Sequence, residues 1–538
     1  MADMVVVGSG AAGLTGALVA ALGGARVTVL EKAALVGGTT AISGGGAWIA
    51  CNPHMSDVGV EDSRQDALEY LRACSGESGD DAILTALVDH GPPMIRMLEE
   101  AAGLRFQAWP ASGGATDYRP WLPGSRPGGR TLEVEGFSLK MLGPWAERIR
   151  IDPVLRSETN LLEYYRRRMH LNRPASPAVG RSSRSTARDD SDTYWRGTAL
   201  AATLLHACLA HGVVVHTETR GTELLLEDGR VTGVKATRRG EPIEFGAPHV
   251  LLATGGYTHN EELKRLWLST PLIYTCDVES NEGDGHLMGI AAGAQVAGLG
   301  DAWWMPHIPM GLQDGAINAG GTREDRILPH TMMVNPAGRR FMNEAVNYYD
   351  AGESFGRKVG AAPSNYPAWL LFDQQGVDRY AVLAFKVPPG EPPEWLHVAD
   401  TIEGLAKSIR LEVPTLQASV DRFNHFARSG VDEDFHRGEN PWDRAWGDPD
   451  NLPNPSLGTV EKAPFYAVPV YPGAIATRGG LRVDASARVL SATGRPIPGL
   501  YASGNCSNAT AAGAYVGPGG TIGPAMTFGY LAGRQAVA

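Results

Sequence analysis

A chain of 538 residues exceeds what one hydrophobic core usually organises, so two or more domains are expected. With 43% hydrophobic and 20% charged residues the composition is that of a globular enzyme, while a formal net charge of -11 leaves no basic surplus to displace counterions from phosphates, which argues against nucleic acid as a partner. The five cysteines, Cys51, Cys74, Cys208, Cys276 and Cys506, are scattered without a C-x-x-C pair, so neither a zinc site nor a disulfide framework is indicated and a reducing compartment fits.

In chain order, Val5 to Val7 read as a short apolar strand that enters Gly8-Ser9-Gly10-Ala11-Ala12-Gly13. An Ala/Leu-rich helix follows, then a strand from Arg26 to Leu30 that ends at Glu31. This is a βαβ unit for a dinucleotide. Gly8 permits the tight turn, Gly10 lets the backbone approach a pyrophosphate, Gly13 allows close helix packing, and Glu31 is placed to bind ribose hydroxyls. A cleavable leader would have to destroy this motif, so a cytoplasmic location is expected. The apolar run Leu14 to Leu22 is too short for a bilayer, which needs about 20 residues, and no transmembrane helix is expected.

Lys32 and the run Val36 to Gly46 decide which dinucleotide. Gly38, Thr39, Thr40, Ser43, Gly44 and Gly45 resemble the loop that runs along the diphosphate and ribityl chain of FAD in the large two-dinucleotide-motif flavoprotein superfamily. Further strands are expected at Val213 to His216, Val231 to Val234 and His249 to Leu252, all three extending one sheet. The last leads into Ala253-Thr254-Gly255-Gly256, which resembles the superfamily's second flavin-contacting turn. A third contact region is expected where Gly499 to Asn505, including Gly504 and Asn505, ends a strand, and where Gly517 to Gly523, including Gly520, Thr521 and Ile522, open a last helix. In that superfamily the helix N-terminus faces the flavin's pyrimidine edge, where its dipole stabilises negative charge.

The expected fold class is therefore α/β: a Rossmann-like FAD-binding domain in two pieces, 1–305 and 477–538, with an inserted α+β substrate or cap domain over 306–476. Within the insert, Trp369 to Asp373 reads as a strand and Ile402 to Arg410 as an amphipathic helix. The stretch 166–192, rich in Arg and Ser, reads as an exposed insertion.

Three further segments carry a more specific resemblance: Tyr515-Val516-Gly517-Pro518-Gly519 through Met526, Gly338 to Glu344 followed by Asn347-Tyr348, and Asp117-Tyr118-Arg119-Pro120 with Pro123-Gly124. On these the chain resembles the succinate dehydrogenase and fumarate reductase flavoprotein superfamily, and within it the 3-ketosteroid Δ1-dehydrogenases, with Val516 departing from their usual proline. Ala476 stands where the dicarboxylate branch has a substrate-binding histidine, so a dicarboxylate substrate is not expected. Thr39 and Thr40 occupy the region of that branch's flavin-linking histidine, so FAD is expected to be non-covalent.

The resemblance implies a dehydrogenase that introduces a C=C bond next to a cyclic ketone, with a 3-ketosteroid favoured. Smaller cyclohexanone-type rings and a flavin-dependent ene-reductase are the alternatives. It implies that the Tyr515 hydroxyl and the Gly519 N–H bind the ketone oxygen, that Tyr348 removes a proton, and that Tyr118 assists Tyr348; Tyr349 competes with Tyr348 for the role of base. Trp48, Trp303, Trp304 and Met305 either line the substrate pocket or simply pack. An electron acceptor is needed, a quinone being one candidate, and no haem-binding C-x-x-C-H occurs.

Overall fold

The computed structural model describes residues 2–111, 117–151, 159–160, 193–313, 316–322, 325–356, 365–380, 382–383, 393–510 and 515–537. The expected insertion at 166–192 lies outside them.

β1 (Met4–Val7) enters α1 (Ala11–Leu22) through the glycine turn, and β2 (Val27–Leu30) returns beside β1 in parallel register, Val5 opposite Thr28. Six strands form one sheet in the order Arg488–Leu490, Pro496–Ala502, His249–Leu252, β1, β2, Val214–His216. All neighbours are parallel except the antiparallel edge pair Arg488–Leu490 and Pro496–Ala502. The central strands are continuous apolar runs because helices cover a parallel sheet, and Met4, Val5 and Val6 are fully buried.

α1 packs against the last helix, Ile522–Gln535, so closely that a Cβ added at Gly529 would stand 2.3 Å from the Ala12 carbonyl oxygen. The chain ends are thereby joined at the start of α1. A Cβ at Gly13 would stand 2.0 Å from the Gly8 oxygen, so the third glycine of the motif is required by helix-to-strand packing, as expected.

The expectation that Val231 to Val234 extends this sheet is corrected. These residues lie in Arg230–Arg238, the middle strand of a separate antiparallel meander with Thr219–Glu227 and Glu241–Gly246. The reason is turn chemistry. Asp228-Gly229 and Arg239-Gly240 all have positive φ, between 48° and 90°, which closes two-residue hairpins and pairs each strand with its sequence neighbour.

A second region is built on a four-stranded antiparallel sheet in the order Thr331–Val334, Ala368–Asp373, Phe465–Val470, His397–Ala399. Its alternation serves two cores. Met332 and Leu371 face the helices Ile402–Ser408 and Val413–Ser429, whereas Met333, Leu370 and Phe372 pack with Phe355 on the other side. Burying each such side chain contributes about 1.5–3 kcal/mol. The expected strand begins one residue earlier, at Ala368, and the expected helix closes at Ser408, before Arg410 at φ 58°.

Between the two regions lies a three-stranded sheet of Tyr274–Thr275, Gly473–Leu481 and Val296–Trp304. Gly473–Leu481 follows Phe465–Val470 after two residues, so one stretch of chain passes from one region to the other. Among the described residues no helix is long and apolar enough to cross a membrane.

Candidate active site

At the end of β1, Gly8 has φ 107°, and a Cβ there would stand 2.2 Å from the carbonyl oxygen of Ala253, so the first glycine turn and the Ala253–Gly256 turn are held against each other. A Cβ on Gly10, by contrast, would meet only the Thr40 hydroxyl, at 3.5 Å. The chain leaves that approach open, as a pyrophosphate requires. The Ala11 N–H donates to the Thr40 hydroxyl (3.0 Å), the Gly37 N–H to the Ser9 hydroxyl (3.0 Å), and the Gly45 N–H to the Ser43 hydroxyl (3.1 Å). Gly38 starts a one-turn helix ending at Ala41, and Gly44 follows the bend at Ser43 beyond it. A Cβ on Gly504 would lie 3.3 Å from that of Ala12, which brings the C-terminal contact turn to the start of α1.

Glu31 stands at the end of β2 and is buried; its carboxylate accepts from the Ser9 hydroxyl (2.5 Å), the Ser9 N–H (3.2 Å) and the Ala33 N–H (2.8 Å). These donors fix the carboxylate at the end of β2, beside the first glycine turn. The Lys32 ammonium is drawn instead to Glu282 (2.7 Å) and Asp284 (2.9 Å).

Thr39 donates to Asp277, which also accepts from the Thr258 hydroxyl (2.7 Å) and the Asn281 amide (2.6 Å). Burial pushes the Asp277 carboxyl up, against the downward pull of these donors. Thr254 accepts from the Gly285 N–H at 3.1 Å, and Gly255, at φ 74°, faces Asn281 so closely that a Cβ would overlap it. The last helix begins at Ile522 without a side-chain cap from Thr521; in its first turn the Gly523 N–H donates to the Gly519 oxygen (3.0 Å) and Pro524 has no N–H, so the Ile522 N–H is the group left to face an anion. Gly520 turns into that helix with its N–H on the Gly517 oxygen (2.9 Å). Open backbone at Gly10, a fixed carboxylate at Glu31 and an uncapped helix N-terminus fit the three parts of FAD that the motifs anticipate.

Tyr118, Tyr348 and Tyr515 come together from segments far apart in the chain, all three buried. Tyr118 stacks on Tyr515 at 5.2 Å between centroids, and Tyr348 meets both rings edge-on at 5.6 and 5.5 Å. Trp303 meets Tyr515 edge-on at 5.1 Å, Tyr349 stacks on it at 6.1 Å, and Trp442 meets Tyr118 at 4.8 Å. Gly519, at φ 85°, donates its N–H to no group among the described residues, while its oxygen accepts from the Trp48 N–H at 3.0 Å. Trp303, Trp304 and Met305 belong to this aromatic cluster. Trp48 does not; it packs with Tyr70, Leu68 and Val516 behind it.

Buried charges hold the tyrosines. The Tyr118 N–H donates to the Val516 oxygen (3.0 Å), as does the Tyr70 hydroxyl (2.6 Å). Beside Tyr118, the Asp117 carboxylate accepts from Trp48 Nε1 (2.8 Å) and from Arg130 (2.7 Å), whose guanidinium lies 5.4 Å from the centroids of both Trp48 and Tyr70. Tyr348 opens the helix Tyr348–Glu353, which Asn347 caps by accepting from the Asp350 N–H (3.0 Å). Arg119 is ion-paired with Asp350, so the residue after Tyr118 is tied to the helix that begins at Tyr348.

The Gly338–Glu344 motif is a brace below that helix. Glu344 is fully buried; burial pushes its carboxyl up, but Arg340 (2.7 Å) and Arg437 (3.1 Å) outweigh this and hold it down to about 2.

Four residues without a sequence signal join the site: Asp277, Asp301, Trp442 and Arg478. Arg478 donates to the Tyr349 hydroxyl (2.8 Å) and to Asp301 (2.6 Å). It lies two residues after Ala476, which is itself buried in the aromatic cluster. Burial pushes the Tyr349 phenol far above its usual range.

The profile of the FAD binding domain family matches residues 3–522. The chain is 41% identical to the 4-oxocyclohexanecarboxylate 2-dehydrogenase of Sinomonas cyclohexanicum, across 99% of this chain and 92% of that protein. It is 39% identical to the 3-oxosteroid 1-dehydrogenase of Mycobacterium tuberculosis, across 98% and 97%. The crystal structure of 3-ketosteroid Δ1-dehydrogenase from Sterolibacterium denitrificans, in complex with 1,4-androstadiene-3,17-dione, is similar with a TM-score of 0.90 and 32% identity, covering all of this chain and 99% of that one. The chain therefore belongs to the FAD binding domain family, as an FAD-dependent oxidoreductase resembling the 3-ketosteroid Δ1-dehydrogenases of the succinate dehydrogenase and fumarate reductase superfamily.

Proposed function

We propose that this enzyme introduces a C=C bond α,β to the ketone of a neutral cyclic substrate, with a 3-ketosteroid as the favoured class. The observation that carries this reading is the convergence of Tyr118, Tyr348 and Tyr515 beside the open N–H of Gly519.

Desaturation removes a proton and a hydride from adjacent carbons. FAD, held non-covalently in the cradle above, supplies the hydride acceptor. The Tyr515 hydroxyl and the Gly519 N–H donate to the ketone oxygen and stabilise the negative charge that grows there; one such donor is worth about 3–4 kcal/mol in the transition state. The acidified α-proton passes to the Tyr348 oxygen. A tyrosine has an ordinary pKa of about 10, so its phenolate must be stabilised, and we assign that stabilisation to the hydroxyl of Tyr118, whose ring meets that of Tyr348 edge-on at 5.6 Å between centroids. Tyr349 is unsuited to be the base, because burial keeps it protonated and its hydroxyl is engaged by Arg478 and Asp301.

Charge pairing supports a neutral substrate. The arginines that adjoin the tyrosines, Arg119 and Arg478, are each matched to a carboxylate, Asp350 and Asp301. A smaller ring is the second reading, favoured by the 41% identity to a protein whose name specifies 4-oxocyclohexanecarboxylate. Anaerobic titration of the yellow protein with 3-ketosteroids, simple cyclohexanones and 4-oxocyclohexanecarboxylate decides between them: bleaching fastest with steroids is expected, and bleaching by the oxoacid alone would reverse the choice.

We also divide the chain into a discontinuous FAD domain, 1–305 and 477–538, and a substrate domain, 306–476, with the tyrosines where they meet. A quinone-type carrier as acceptor and a cytoplasmic location, in keeping with the scattered cysteines, complete the proposal.

A further inference from the structure

Arg478 takes no part in the ketone and proton chemistry just described, yet it is bound to two of the rings that pack around Tyr515. One guanidinium nitrogen, Nη1, donates to the Tyr349 hydroxyl at 2.8 Å and to Asp301 at 2.6 Å. The guanidinium carbon also lies 5.4 Å from the centroid of the Trp303 ring. Each of those partners is itself anchored. Trp303 Nε1 donates to Asn505 (3.0 Å) beside the Gly504 turn, and Asp301 accepts from Trp304 Nε1 (2.6 Å). Tyr349 and Trp303 then contact Tyr515 at 6.1 and 5.1 Å.

We propose that Arg478 is a positioning residue that holds the Tyr515 hydroxyl in its ketone-polarising orientation through Tyr349 and Trp303. The inference rests on the role given to Tyr515 above. Its physical basis is that an oxyanion donor acts only when aimed, and a misplacement of about 1 Å lowers a rate by roughly 100-fold. Arg478 fixes the plane of one neighbour by a hydrogen bond and of another by a cation–π contact, and Asp301 holds the guanidinium against both. A purely structural ion pair would act on stability alone.

The test is a double-mutant cycle on the holoenzyme, read as the anaerobic rate of flavin reduction at saturating 3-ketosteroid, with FAD absorbance and Tm recorded for each variant. Arg478→Met is expected to slow reduction by about 10- to 100-fold while FAD occupancy is kept. Arg478→Lys should lie between Met and wild type. In a Tyr515→Phe background, Arg478→Met should slow the reaction by no more than about 3-fold, because the hydroxyl it aims is already gone. Tyr349→Phe keeps the ring and the ion pair and should show the same non-additivity with Tyr515→Phe, which decides the matter if Arg478→Met does not fold. A wild-type rate in Arg478→Met, or costs that multiply in the doubles, would overturn the role of Arg478 and leave that of Tyr515 standing. A wild-type rate in Tyr515→Phe alone would overturn both.

Discussion

The cofactor cradle and the tyrosine cluster are built on different principles. The cradle is made largely of backbone: Gly8, Gly10 and Gly13 matter for the side chains they lack, and the Glu31 carboxylate is held by groups within 22 residues in sequence. The cluster is made of side chains brought from residues 118, 348 and 515 and kept in place by the pairs Asp117–Arg130, Arg119–Asp350 and Asp301–Arg478. Lesions in the cradle should therefore remove FAD, whereas lesions among the tyrosines should remove rate and leave FAD in place.

The largest expected effect is at Gly13. Gly13→Val puts a side chain where the Gly8 carbonyl stands, so it should separate α1 from β1 and yield protein without FAD, read as lost flavin absorbance in the purified protein. Retained FAD would contradict the packing role. Next, Tyr348→Phe should slow flavin reduction by roughly 1,000-fold with ketone binding nearly intact, and Tyr515→Phe by roughly 100-fold or more, both with full FAD occupancy. If Tyr348→Phe is reduced at the wild-type rate, it is not the base.

A smaller effect, on stability, is expected at Glu344. Its carboxyl has the ordinary value 4.5 when unfolded and is held at about 2 when folded, so the stability it contributes is fully present above about pH 4.5 and is lost as the pH falls towards 2. Glu344→Gln removes the carboxylate paired with buried Arg437, while Arg340 keeps Asp432 (2.8 Å); a cost of about 3–5 kcal/mol at neutral pH is expected, together with a flatter loss of Tm between pH 4.5 and 2. An unchanged acid-side slope would show that Glu344 does not titrate as described.

The first part of the cradle was legible in sequence because it is local: strand, glycine turn, helix and acidic residue fall within the first thirty-one positions, whereas the Ala253 and Gly504 turns that meet it come from far along the chain. Val231 to Val234 misled because alternation identifies a strand but not its partner, although the turn residues at Asp228-Gly229 and Arg239-Gly240 carried that information. Within the cluster, Tyr118, Tyr348 and Tyr515 were found through family resemblance, not through periodicity. Asp301 and Arg478 lie 177 residues apart, and Thr39 and Asp277 lie 238 apart, so their pairing depends on tertiary packing that no local pattern encodes.

The smallest expected effect separates the two carriers of proton chemistry. Tyr118 meets Tyr348 edge-on and also stacks on Tyr515, so Tyr118→Phe should preserve the packing of both rings while deleting one hydroxyl. If that hydroxyl stabilises the Tyr348 phenolate, its loss raises the pKa of the base, and the rate below that pKa falls in proportion to the smaller phenolate fraction. Flavin reduction should then be slowed by roughly 10-fold at neutral pH, one pKa unit being a factor of ten in that fraction, and should approach the wild-type rate as the pH is raised. A uniform slowing at every pH would instead mean that Tyr118 acts by orienting the rings, and the tyrosine that stabilises the base would have to be sought elsewhere.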